Sequence, residues 1–376
     1  MARVPLLGGA YQAKSIIANA QRCVNLYPEA NPSSSQPQSP STHYPTPGLV
    51  KIGEIVPPDQ PNIWVVSQSC ALLKFLLSDT GNVAPTVNIV GSNTGLTGPL
   101  GDNFSITLAM DFDSKGLKFA LENVELVDGS GLTSVLVYRA SDNGNVSPVY
   151  KIEGDQTGLT STTGFSSGMS ICLDGDDNIY VGQFRSLLKF PTGSSGNVAS
   201  TEITLSPTLP SDLLSMTFDP LRQWIWISLN DSSGTNLRAY GLDGTERRSL
   251  SISGYVPYQT AIAEDGSIIV ACQKSSTLGT IMVFAPNASG SATPTRQIGP
   301  GATSNIFQPA GVGIDNTTGI IYATDVGGSE THRIVSFATT ANGNVAPLTT
   351  ITGNLTELAL LPSGDNTQPI RLKMHP

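Results

Sequence analysis

From about residue 61 the chain is a succession of short apolar runs separated by Gly-, Asn-, Asp- and Pro-rich turns. Ser170-Ile171-Cys172-Leu173-Asp174, Asn178-Ile179-Tyr180-Val181-Gly182 and Leu187-Leu188-Lys189-Phe190 follow one another closely. Runs this short, rich in β-branched and aromatic residues, predict strands rather than helices. Asp174-Gly175, Asp265-Gly266 and Thr318-Gly319 supply the tight turns between neighbouring strands.

The turns themselves repeat. Gly81-Asn82-Val83-Ala84-Pro85 returns as Gly144-Asn145-Val146-Ser147-Pro148 and as Gly343-Asn344-Val345-Ala346-Pro347. Decayed copies begin at Gly196 and Gly290, and Gly244 fills the gap between them, so the six marks fall 63, 52, 48, 46 and 53 residues apart. After each mark comes a short strand ending in Gly, as in Tyr150–Gly154. Next comes a buried-looking strand ending in an acid (Asp111, Asp174, Asp219, Glu264, Asp315), then a third strand such as Ser267–Val270 and a fourth ending in an aromatic, such as Ile281–Phe284. Four strands per repeat at this period make a propeller blade. Downstream of Pro347 the strands Leu348–Ile351 and Glu357–Leu361 remain, and upstream of Gly81 lie Asn62–Val66 and Leu72–Leu77. The last blade is therefore expected to be shared between the two ends of the chain, which leaves no free sheet edge. The expectation is an all-β, six-bladed β-propeller over residues 61–361, with an extended N-terminal arm (1–60) and a C-terminal extension (362–376). The motifs resemble those of NHL-like and lactonase-like six-bladed propellers.

Composition narrows the chemistry. Only 13% of residues are charged, Gly and Pro number 38 and 26, and the net charge is −9. The 20 Lys and Arg form no cluster, so a grip on nucleic-acid phosphates is not expected. No apolar run reaches membrane-spanning length, and the first residues lack the apolar core of a signal peptide. The four cysteines are far apart with no C-x-x-C pair, which argues against zinc and redox dithiols; Cys172 and Cys272 read as buried thiols. Gly164-Phe165-Ser166-Ser167-Gly168 fits the G-x-S-x-G elbow, but a strand rather than a helix follows, and the three histidines (His43, His332, His375) are scattered. Asp174-x-Asp176-x-Asn178 starts like a calcium loop yet lacks its later ligands, so a hairpin turn is the expectation. The acids at strand ends are expected to accept hydrogen bonds from the turns that follow rather than to hold a channel metal. Trp224 and Trp226 are assigned to opposite sides of their strand. No catalytic residue, metal or cofactor is expected.

The most distinctive segment lies outside the repeat. Residues 11–29 include Ala20-Gln21-Arg22-Cys23-Val24-Asn25-Leu26-Tyr27-Pro28-Glu29, and after a Pro/Ser-rich stretch comes Tyr44-Pro45-Thr46-Pro47-Gly48-Leu49. This closely resembles the N-terminal signature of the tail-nozzle proteins of short-tailed bacteriophages, also called packaged-DNA stabilisation proteins or tail hubs. The resemblance spans residues 11–49 and stops there. It implies a structural virion protein, made in the host bacterial cytoplasm, that forms a ring of six copies beneath the portal and a tail adaptor protein. Such a ring serves as conduit and gate for packaged dsDNA, which passes without specific binding, and it carries a tail fibre or spike and a needle or plug. It also implies an assembly interface at Gln21, Arg22, Val24, Asn25, Leu26, Tyr27, Pro28, Tyr44, Pro45, Pro47 and Gly48. The prolines agree, since they restrict the arm to extended conformations; an arm folded over its own propeller is the plainer alternative. A lactonase-like enzyme or ligand-binding propeller and a receptor- or carbohydrate-binding adhesin are the competing functions.

Overall fold

The computed structural model describes residues 61–67, 70–96, 104–125, 131–160, 168–232, 234–275, 278–304, 306–326, 332–358 and 371–375. Six four-stranded antiparallel sheets make a six-bladed β-propeller. Blade 1 combines β1 (Asn62–Ser67), β2 (Ala71–Leu76), β3 (Val87–Ile89) and, innermost, β24 (Leu372–His375). Blade 2 is β4 (Phe104–Phe112), β5 (Lys118–Glu125), β6 (Gly131–Tyr138) and β7 (Tyr150–Ile152). Blade 3 is β8 (Met169–Leu173), β9 (Ile179–Gln183), β10 (Ser186–Phe190) and β11 (Thr201–Ile203). Blade 4 is β12 (Leu213–Asp219), β13 (Trp224–Leu229), β14 (Leu237–Gly241) and β15 (Glu246–Leu250). Blade 5 is β16 (Val256–Ile262), β17 (Ile268–Ser275), β18 (Leu278–Phe284) and β19 (Arg296–Ile298). Blade 6 is β20 (Pro309–Asp315), β21 (Ile320–Val326), β22 (His332–Phe337) and β23 (Thr350–Thr352).

The core is divided into six clusters, one between each pair of neighbouring blades. This explains why the middle strands read as unbroken apolar runs: alternate side chains point to opposite faces, and both faces are covered. In β17, Ile268, Val270 and Cys272 face blade 4, while Ile269 and Ala271 join the cluster shared with blade 6. Trp224 and Trp226, expected on opposite sides, lie in one cluster between blades 4 and 5, as residues two apart on a strand must. Cys172 and Cys272 are buried free thiols, and burial pushes both well above the usual thiol range. Five of the six outermost strands have only three residues, which keeps the exposed edges short.

Ring closure follows the expected plan with one strand exchanged. The inner strand of the shared blade is Leu372–His375, paired antiparallel to β1 with Asn62 opposite His375, and not Glu357–Leu361. Part of the supposed C-terminal extension is thus a structural strand of the propeller. Glu357 and Leu358 are consumed by a connecting loop in which Leu358 is buried between blades 6 and 1. The same loop recurs at other blade junctions, so the strand it leads to has to lie further along the chain.

Candidate functional site

All of the expected assembly residues, Gln21, Arg22, Val24, Asn25, Leu26, Tyr27, Pro28, Tyr44, Pro45, Pro47 and Gly48, lie outside the described residues. The described part shows where that segment joins the propeller. Antiparallel order puts the first-to-second and third-to-fourth turns of every blade on one face, and the remaining connections on the other. Asn62 begins the second strand of blade 1, so the chain enters on the tight-turn face, beside His375 and one strand from the axis.

The repeated phrase acts as a clamp between blades, tying the third-to-fourth connection of one blade to the outermost strand of the blade before it and to the loop that leaves that strand. The glycine of four copies makes a parallel bridge with the outermost strand of the preceding blade: Gly81 with Ile351, Gly196 with Ile152, Gly290 with Leu250, and Gly343 with Ile298; the Gly144 amide donates to the Asn88 carbonyl of that strand at 2.9 Å. The following asparagine then caps the loop that leaves that strand. Asn82 Oδ1 accepts from the Leu355 amide (2.8 Å), Asn145 from Asn93 (2.7 Å), Asn197 from Gln156 (2.8 Å) and Asn344 from Ser304 (2.9 Å). Each capped loop has the form Gly-x-x-Thr/Ser-x-Leu/Ile, starting at Gly91, Gly154, Gly301 and Gly353. The hydroxyl of Thr94, Thr157, Ser304 or Thr356 donates back to the carbonyl of that glycine. Gly154 shows why no side chain fits: its φ is 122°, and a Cβ would come 2.5 Å from Asn197 Cγ. Blade 4 interrupts the series. Gly244 stands where the spacing put it, its carbonyl accepting from the Ser206 amide at 2.9 Å, with Ser206 in turn bridged to Thr245.

Three of the five strand-end acids, Asp174, Asp219 and Asp315, accept hydrogen bonds from the turns that follow them. Asp174 Oδ1 accepts from the Asp176 and Asn178 amides (3.0 and 2.9 Å), and Oδ2 from the Tyr180 hydroxyl (2.9 Å). Asp219 accepts from the Leu221 and Arg222 amides and from Trp226 Nε1, and pairs with Arg222 at 2.7 Å. Asp315 takes the Thr317 amide (3.0 Å) and the Thr318 hydroxyl (2.5 Å). Asp111 reaches across a blade boundary to the Leu173 amide (3.0 Å) and pairs with Lys373 at 2.7 Å. Among the described residues no group of three or more His, Cys, Asp or Glu is placed to hold a metal. Ser166 of the G-x-S-x-G sequence is outside the described residues, and Gly168 leads directly into strand β8. His332 is 3% exposed in blade 6 with both ring nitrogens unpartnered, and burial pushes it down to about 4. His375 stacks edge-on against Phe112 at 4.5 Å, in blade 1.

The central channel is where structure adds most. The six inner strands surround a cavity of about 280 Å³ lined by residues from every blade. Small residues let the strands approach: a Cβ on Gly313 would come 2.6 Å from both Leu372 Cδ2 and Met374 Cγ. The closing strand is tied across the axis. Gln259 of blade 5 accepts from the Leu372 amide (3.1 Å) and donates to its carbonyl (2.6 Å). Arg371 spans to blades 5 and 4, donating to the Tyr258 carbonyl at 2.8 Å and the Leu214 carbonyl at 2.5 Å. None of these residues stood out in the sequence. The one signal was an Arg and a Lys flanking an apolar residue in the last six positions.

No protein-family model matches the chain, and no curated protein matches it. Solved structures do. A chain in the nidogen/laminin complex is 11% identical over 84% of this chain and 98% of its own length, with a TM-score of 0.50. The Dos1 propeller is 10% identical over 67% of this chain and 59% of its own, with a TM-score of 0.41. Dihydro-heme d1 dehydrogenase NirN is 12% identical over 78% and 66%, also at 0.41. At these identities the likeness is one of fold, and the class of protein it defines is the β-propeller.

Proposed function

We propose that this chain is a structural subunit of the tail of a short-tailed bacteriophage, assembling as a six-membered ring beneath the portal and adaptor. The observation that carries the reading is the sequence of residues 11–49, from the Gln21–Glu29 run to Tyr44–Gly48. The propeller is compatible with it, since all six four-stranded blades are built from residues between Asn62 and His375.

The channel sharpens the proposal. A cavity of about 280 Å³ crossed by Arg371 and by the Gln259–Leu372 pair has no room for a DNA duplex. In this reading the DNA conduit therefore runs between the copies at the centre of the ring, and fibres or spikes and a needle or plug attach to outer surfaces. The net charge of −9 suits such a conduit, because phosphates are held by Lys and Arg. The test is imaging of the purified chain with a portal–adaptor complex, for the full chain and for a deletion of residues 1–60. The full chain is expected to add a ring to the complex, and the deletion to remain folded without joining. A monomer that never binds the complex and is absent from virions would overturn the reading, and a truncated chain that still assembles would remove the arm from the interface.

A further inference from the structure

Arg371 is a buried cation that ties the closing strand to the far side of the ring. It is 5% exposed, and among the described residues it makes no ion pair. Among the described residues the other arginines without a carboxylate partner, Arg248 and Arg296, are only partly buried and donate to the carbonyls of Pro286 and Ala341. A guanidinium has five N–H donors; the two bonds from Arg371 end on the Tyr258 and Leu214 carbonyls. Its burial lowers its affinity for its own proton, to a value of about 10. Leaving a charge desolvated and unpaired is costly. A second group nearby is also unsatisfied. Ser215, next to Leu214 on β12, is 2% exposed, and its Oγ has no hydrogen-bond partner. Both residues line the same 280 Å³ cavity, and that cavity is open to solvent. The acid of a neighbouring inner strand, Asp111, is taken by Lys373 and by the Leu173 amide.

We propose that the propeller channel binds a small oxyanion, a carboxylate or phosphate group, held by the Arg371 guanidinium and the Ser215 hydroxyl. The planar fork of arginine matches both groups with paired hydrogen bonds. The bound anion would neutralise the one buried cation that ties the closing strand to the opposite side of the ring. The site is independent of the tail reading, since it rests on the propeller alone.

The experiment is thermal unfolding of the full chain at constant ionic strength, with chloride replaced stepwise by inorganic phosphate in one series and by acetate in another. A saturable rise in Tm of about 2 °C at ten times Kd is expected in at least one series. Which series responds separates phosphate from carboxylate. Arg371→Met is expected to abolish the rise. Ser215→Ala removes an unpartnered hydroxyl, so it should fold at least as well as the parent while weakening anion affinity about fivefold. An unchanged Tm in both series overturns the proposal. So does an undiminished response in Ser215→Ala or in a folded Arg371→Met; if the Arg371 variant fails to fold, Ser215→Ala decides.

Discussion

The clamp between blades 2 and 3 makes a quantitative prediction about Gly154 and Asn197. Asn197→Ala removes the bond from the Gln156 amide (2.8 Å) and the bond from Nδ2 to Asp155 Oδ1 (2.6 Å). Both are at the surface, so the loss is about 1–2 kcal/mol. Gly154→Ala introduces two separate costs. Alanine at φ 122° is strained by about 1–3 kcal/mol. The new Cβ would also overlap Asn197 Cγ and Oδ1 at 2.5 Å, which adds about 1–3 kcal/mol of overpacking. In an Asn197→Ala background those two atoms are gone. Only the 2.9 Å approach to the Asn197 Cβ remains, and a small shift relieves it. The double variant should therefore be more stable than the sum of the single ones by at least about 1 kcal/mol. Urea unfolding of all four proteins measures this, with Tm as a check at about 1.5 °C per kcal/mol for a propeller of ~300 residues. Additivity within about 0.5 kcal/mol would refute the argument that the asparagine above Gly154, in addition to its φ, requires glycine there.

Three further outcomes are expected. Deleting residues 371–376 removes the inner strand of blade 1 along with Arg371, and should abolish cooperative unfolding; an unchanged Tm would show that the ring closes without it. His332 is held down near 4, so the folded state prefers it neutral, and stability is lost as pH falls from about 6.5 toward 4. His332→Leu should flatten that acid limb in a urea series from pH 7 to 4, and an unaltered limb would rule out His332 as its source. Asp325 is fully buried beside Arg333 (3.5 Å), and burial pushes its carboxyl up to about 6. A raised carboxyl binds its proton more tightly when folded, so its penalty grows as pH rises from about 4 through 6. Asp325→Asn, whose Oδ1 can still accept from the Phe307 and Gln308 amides, should thus gain up to about 3 kcal/mol relative to the parent on going from pH 4 to pH 7. A pH-independent difference would contradict it.

The blades were legible in the chain because each is a local object. Short apolar runs, the acids that close inner strands and the Gly-Asn-Val phrase all act within one repeat or reach only the next, so their spacing survives in one dimension. Even the worn copy at Gly244 fell where the period required. The acids at strand ends were readable for the same reason: Asp174 and Asp315 take their hydrogen bonds from residues two to six positions away. Two features marked the limit. The clamp pairs Gly154 with Asn197 and Gly353 with Asn82, so the two halves of each motif look like unrelated turns until the blades stand side by side. The sequence pattern places the closing strand one loop too early, because Glu357–Leu361 and Leu372–His375 both read as short strands and nothing local separates them.

The sequence by itself determined an all-β ring of six repeats closed by its two ends, because period, turn chemistry and apolar runs are properties of neighbours along the chain. Only the tertiary structure decided which strand completes blade 1 and what fills the axis. Arg371, Gln259 and Ser215 are far apart in the chain or separated by several blades, and each is unremarkable where it stands. They acquire meaning because six inner strands converge on one axis, where Arg371, the strand clamped by Gln259 and Ser215 border the same small cavity.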